Sequence, residues 1–206
     1  TVITTNCEID MFDPRLRSRL MDLDWSTLVQ ILAPDFRGSA VVEQSELSSL
    51  GLHKDQTFEA FDVRESDPAL DSAQKSNLRR ALATARAYAE EPTGWLALTG
   101  GYGCGKTHLA AAIANFTVEV GVPTLFITVP DMLDALRFAY DDPESTFEQR
   151  FEEIRSAPLL IMDDFGTQNA TAWAQEKLFQ IVNYRYINRL PMVVTTNLLL
   201  EQIEGR

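Results

Sequence analysis

Cysteine is scarce. Cys7 and Cys104 are too few and too scattered to frame a disulfide scaffold, which fits a reducing compartment. Long apolar runs are missing too. Stretches such as PLLIM and MVV are strand-sized, so no membrane span is expected. No stretch has the charged-then-apolar form of a secretory signal. Basic residues are in the minority, 18 Lys and Arg against 30 Asp and Glu, for a net charge of −12. That excludes a general polyanion binder and leaves any nucleic-acid contact to a local basic patch or an assembled oligomer. The remaining composition, 45% apolar and 23% charged over 206 residues, suits one core with a small appendage in a cytoplasmic protein.

Periodicity supplies the layout. Residues 38–57, rich in Ser, Gln, Glu and Gly, read as a linker that includes His53. Leu78, Ala81, Leu82, Ala85, Tyr88 and Ala89 then recur at helical steps before Pro92. GWLALTG, PTLFITV, PLLIMDD and PMVVTTN read as strands. Between them the pattern predicts a helix from about Lys106 to Val120, with Leu109, Ile113, Phe116, Thr117 and Val120 on one face. Two shorter helices are expected over about Asp131–Tyr140 and after the capping box STFE, with Phe147, Phe151 and Ile154. A longer one, capped by Thr171, should turn Trp173, Leu178, Ile181, Val182 and Tyr186 inward. Alternating strands and helices without hairpin signals predict an α/β fold, a parallel sheet with helices on both faces.

GGYGCGKT lies between an expected strand and an expected helix and matches the Walker A pattern. Its glycines let successive backbone amides point at phosphate oxygens, and the following helix adds its positive end. The expected ATP-binding stretch is therefore Gly100, Gly101, Tyr102, Gly103, Cys104, Gly105, Lys106, Thr107 and His108. Lys106 would neutralise the β- and γ-phosphates and Thr107 would hold Mg²⁺. Cys104 suits the loop by its small size, and His108 is expected on the helix surface. Asp163 and Asp164 end the strand LLIMDD. Beside a phosphate loop, Asp163 is the candidate metal-shell ligand and Asp164 the candidate group that orients or deprotonates the attacking water.

The Walker A segment, LLIMDDFGTQNATAWAQEKLFQIVNYRY and VVTTN together resemble the DnaC/DnaI helicase loaders and their IstB relatives, a branch of the AAA+ P-loop NTPases. The resemblance covers about 58–206 and, separately, 1–37. It implies that Asn197 is a sensor positioning water against the γ-phosphate. It also implies slow turnover, since many AAA+ proteins carry Glu where this chain has the shorter Asp164.

The two ends of the sequence are similar to each other. Val2, Thr4, Thr5, Asn6 and Arg15 align without gaps on Val193, Thr195, Thr196, Asn197 and Arg206. In the family, a segment like DPRLRSRL follows the sensor strand, and an APDFR-like segment comes later. By that resemblance Arg19 is the arginine finger, Arg15 its supporting partner and Arg37 the sensor-2 residue. Residues 1–37 are thus expected to be the C-terminal piece of an AAA+ unit, and 58–206 a core lacking its own finger. Either the sequence is cut from tandem units or 1–37 completes the same fold.

The reading that follows is an ATP-hydrolysing, Mg²⁺-dependent helicase loader in DNA replication. Its expected partners are a replicative DNA helicase, weakly bound single-stranded DNA, and a homo-oligomer or tandem AAA+ neighbour. The alternatives are a transposition helper ATPase, a P-loop kinase or a non-hydrolysing nucleotide switch.

Overall fold

The computed structural model of the protein describes residues 13, 17, 45–141, 147–166 and 171–198. The chain divides into two units, Thr1–Phe36 and Arg37–Arg206, and every element below belongs to the second. Cys7, Arg15, Arg19, Arg37, Ser145 of the capping box and the end of the repeated segment, 199–206, lie outside the described residues.

Four parallel strands, β1 (Trp95–Thr99), β2 (Thr124–Thr128), β3 (Leu159–Asp163) and β4 (Met192–Thr196), form a sheet in the order β1-β4-β3-β2. Helix α1 (Ser72–Glu90) precedes β1 and α2 (Lys106–Glu119) follows it. Helices α3 (Val129–Asp141) and α4 (Phe147–Ser156) come between β2 and β3, and α5 (Ala172–Ile187) lies between β3 and β4. Strand alternation divides the core into two layers. Phe126, Leu159, Ile161 and Val193 pack with α1 and α2, while Leu125, Ile127, Leu160, Met162 and Met192 pack with α3, α4 and α5. Among the described residues, no helix is long and apolar enough to cross a membrane.

Both α1 and α5 begin where their side chains dictate. Asp71 and Gln74 form a reciprocal capping box on α1, and the Thr171 hydroxyl accepts the Ala174 N–H of α5. Helix α2 departs from the one-sided pattern expected of it. Leu109 to Ala114 are all buried, because the helix lies between the sheet and α1, and four alanines allow close approach on every side. Val120 falls past the end of this helix and is 42% exposed, so it is not on the inward face.

Helix α5 corrects a second expectation. Its inward positions are Ala174, Leu178, Ile181 and Arg185, while Tyr186 is 71% exposed and meets Trp95 edge-on. The reading favoured an apolar residue over a charged one, but the helical spacing selects Arg185. Its guanidinium donates to the carbonyls of Arg155, Ala157 and Pro191 and so ties the chain entering β3 to the chain entering β4. Burial lowers its pKa to about 10, with Tyr88 and Tyr184 opposing the shift.

The linker reading of 38–57 fails for its described part, 45–57. A short 3-10 turn, Ser49–His53, buries Leu50 at 1% exposure, and the Ser48 and Ser49 hydroxyls donate to the Phe126 carbonyl of β2. Asn115 of α2 donates to the carbonyls of His53 and Gln56, and the His53 ring lies 5.0 Å from that of Phe126. One leucine and a few polar groups that match backbone partners make this segment part of the core. Leu50→Ala should therefore cost about 2–5 kcal/mol in denaturant unfolding. A true linker would show no change.

Candidate nucleotide site

The site lies at the carboxyl ends of β1, β4 and β3, three adjacent strands, where ligands bind in such sheets. The Gly100–Thr107 loop leaves β1 and enters α2. Gly105, the N-cap residue of α2, has φ 97°, and a Cβ there would sit 2.7 Å from the Phe61 ring, so both conformation and space require glycine. No side chain caps α2, which leaves its first amides to a ligand. The Lys106 Nζ donates to the Gly101 carbonyl at 2.7 Å and lies 3.8 Å from the Cys104 Sγ. Gly101, Tyr102 and Gly103 form an exposed tip, with Tyr102 87% exposed.

The end of β3 faces this loop. The Thr107 hydroxyl lies 3.1 Å from both oxygens of Asp163, which is 3% exposed. Asp164 turns the chain with a left-handed φ of 57°. Burial raises its carboxyl pKa, the charge of Asp163 adds to the rise, and Lys106 opposes it. Asn197, just past β4, carries a buried Oδ1 with no hydrogen-bond partner. An acceptor left over in this position suits a donor supplied by a bound group or water. Lys106, Thr107, Asp163, Asp164 and Asn197 are thus brought to one end of the sheet from three separate strand ends.

His108 departs from its expected surface place. Its Nε2 is 2.8 Å from the Thr57 carbonyl and its ring meets Phe61 edge-on, so the imidazole anchors the 57–61 segment and only its backbone remains for phosphates. This segment forms a wall of the site that the sequence reading missed. Phe61 packs on Gly105, and the Arg64 guanidinium donates to the Gly103 carbonyl at 2.8 Å. Asp62, Arg64, Glu65, Ser66 and Asp67 line an adjoining cleft of about 350 Å³. The only sequence signal for this wall was the apolar pair Phe58 and Phe61, three residues apart.

The family model described as IstB-like ATP binding protein matches residues 37–205. The chain belongs to the IstB-like ATP-binding family. It is 34% identical to the uncharacterized protein YdaV of Escherichia coli K12 over 156 residues, covering 74% of this chain and 58% of that one. It is 30% identical to the replicative helicase loader DnaC of the same strain over 155 residues, covering 74% and 59%. The chain thus spans somewhat under three fifths of these two relatives. A crystal structure of the DnaC helicase loader matches with a TM-score of 0.61 at 24% identity, over 75% of this chain and 85% of that one. The fold is that of the AAA+ P-loop NTPases, as the family resemblance implied.

Within this IstB-like ATP-binding fold the oxygen donors fit magnesium better than a softer metal. Thr107 and Asp163 offer a hydroxyl beside a carboxylate, and Mg²⁺ takes one or two carboxylates together with substrate phosphates. Among the described residues there is no cluster of three His, Cys, Asp or Glu that would build an all-protein metal cage.

Proposed function

We propose that this chain binds ATP with Mg²⁺, hydrolyses it, and serves as a helicase loader in DNA replication. The observation that carries the reading is the meeting of Thr107 with Asp163 beneath the phosphate loop, with Asp164 and Asn197 at the two neighbouring strand ends. Loop amides and Lys106 hold the phosphates. Thr107 and Asp163 hold Mg²⁺, which when bound offsets negative charge on the phosphates. Asp164 orients the attacking water and takes its proton, and Asn197 fixes that water through its free acceptor. Arg37 is the candidate sensor-2 residue contacting the nucleotide. Arg19 is the candidate finger, supplied to a neighbouring subunit or tandem AAA+ unit, where such a group raises turnover by about 10³–10⁵. Turnover would then be slow until assembly.

The replicative helicase enters as partner because relatives that match across three quarters of this chain are helicase loaders. A transposase is the second candidate, favoured by the IstB-like match over 37–205. Phosphate release should be followed with ATP and Mg²⁺ alone, with single-stranded DNA, with a purified replicative helicase, with a transposase, and with a pool of small-molecule phosphate acceptors. Stimulation by the helicase with DNA is expected. Stimulation by a transposase alone would transfer the role to transposition, and phosphate passed to a metabolite without release to water would overturn hydrolysis.

A further inference from the structure

We propose that Thr195 is a positioning residue that transmits the place of the phosphate-loop strand to Asp163 and Asp164 at the end of β3. Backbone pairing between β3 and β4 runs Leu160–Met192, Ile161–Val193 and Met162–Val194 and stops there. The next pair would be Asp163 with Thr195. At that level a side chain joins the two chain segments: the Thr195 hydroxyl donates to Asp163 Oδ1 at 2.5 Å and accepts the Asp164 N–H at 3.0 Å. The Thr195 carbonyl also accepts the Phe165 N–H at 2.8 Å. On its other side, Thr195 is still in register with Leu98 of β1, the strand that leads into the phosphate loop. One residue therefore joins the loop strand to Asp163, Asp164 and Phe165.

The link matters because Asp164 stands in a left-handed conformation, φ 57°. A non-glycine residue keeps such a conformation only where its surroundings hold it. The bond from the Asp164 amide to the Thr195 hydroxyl and the bond from the Phe165 amide to the Thr195 carbonyl hold the peptide planes on either side of this residue, and the first of them depends on the side chain. Shape alone does not require a hydroxyl there. Thr195 is fully buried in a strand, a place where valine has the same outline and suits β structure well. Valine would remove the donor to Asp163 and leave the Asp164 amide without its acceptor.

The inference rests on the hydrolysis reading, so its test carries a readout that survives the failure of that reading. Thr195→Val, Thr195→Ala and Thr195→Ser are compared with the parent chain by phosphate release and by titration of a fluorescent ATP analogue with and without Mg²⁺. Loss of this supporting group should lower kcat about 10–100-fold in the Val and Ala variants. It should also shrink the gain in affinity that Mg²⁺ confers, while metal-free affinity stays within about twofold, because the loop amides and Lys106 are untouched. Thr195→Ser should restore both values. Parent-like turnover in a folded Val or Ala variant overturns the proposal. If the parent releases no phosphate, hydrolysis fails but Thr195 is still judged: an unchanged Mg²⁺ increment in the variants overturns it, and a reduced one restored by serine upholds it.

Discussion

Lys106→Ala should lower ATP affinity by about two orders of magnitude, with little change in unfolding. Two charges about 4 Å apart near a protein surface interact by about 4 kcal/mol, close to three decades in a dissociation constant. Desolvating the ammonium takes back part of this, and the neighbouring amides keep some phosphate affinity, which leaves about a hundredfold loss. The fold depends little on this side chain. It bonds to the Gly101 carbonyl and the Cys104 Sγ, both within the loop, and it lies outside both layers of the core. Calorimetric titration of ATP, paired with a thermal melt of the same sample, separates the two effects. Unchanged affinity in a folded variant would place the phosphates elsewhere and remove the basis for the hydrolytic reading.

What the sequence disclosed and what it concealed follow from how local the chemistry is. The loop was readable because glycines, Lys106 and Thr107 must be contiguous to wrap a phosphate. Asp163 was readable because it ends an apolar strand in a chain that also carries a phosphate loop, and Asn197 only through the family resemblance; β3 and β4, whose ends carry them, are neighbours in the sheet. The 45–57 segment was not. Its burial depends on Leu50 and on hydroxyl and amide groups whose partners, Phe126 and Asn115, lie roughly sixty to eighty residues away. Arg185 was missed because a charged residue argues against an inward position unless the three carbonyls around it are known. Thr195 looked like any strand threonine. Its hydroxyl gains meaning only where the β3–β4 ladder stops.

Asp164→Asn should abolish measurable phosphate release, at least about a hundredfold in kcat, while ATP affinity stays within about threefold. Asparagine is the sharper substitution here than alanine, since it tolerates the left-handed backbone at φ 57° and has nearly the same size. The ability to take a proton is removed, together with the negative charge that faces Asp163 and Lys106. The raised pKa of Asp164, caused first by burial and then by Asp163, gives the parent a recognisable pH signature. Its rate should fall on acidification through a value above that of a free aspartate, because the protonated acid cannot act as a base. Stability carries the opposite sign. A folded pKa above the unfolded one gives a contribution that is fully present below the unfolded value and lost as pH rises through the folded value. Parent and variant should therefore be closest in stability at acid pH, and the variant should gain on the parent toward neutrality, where the parent's carboxylate is ionised beside Asp163. Single-turnover phosphate release, nucleotide titration and unfolding across pH address these points separately. Loss of ATP binding along with hydrolysis would make Asp164 part of the binding site. Normal turnover would leave the water to be activated by another group, with Asn197 the nearest candidate for its orientation.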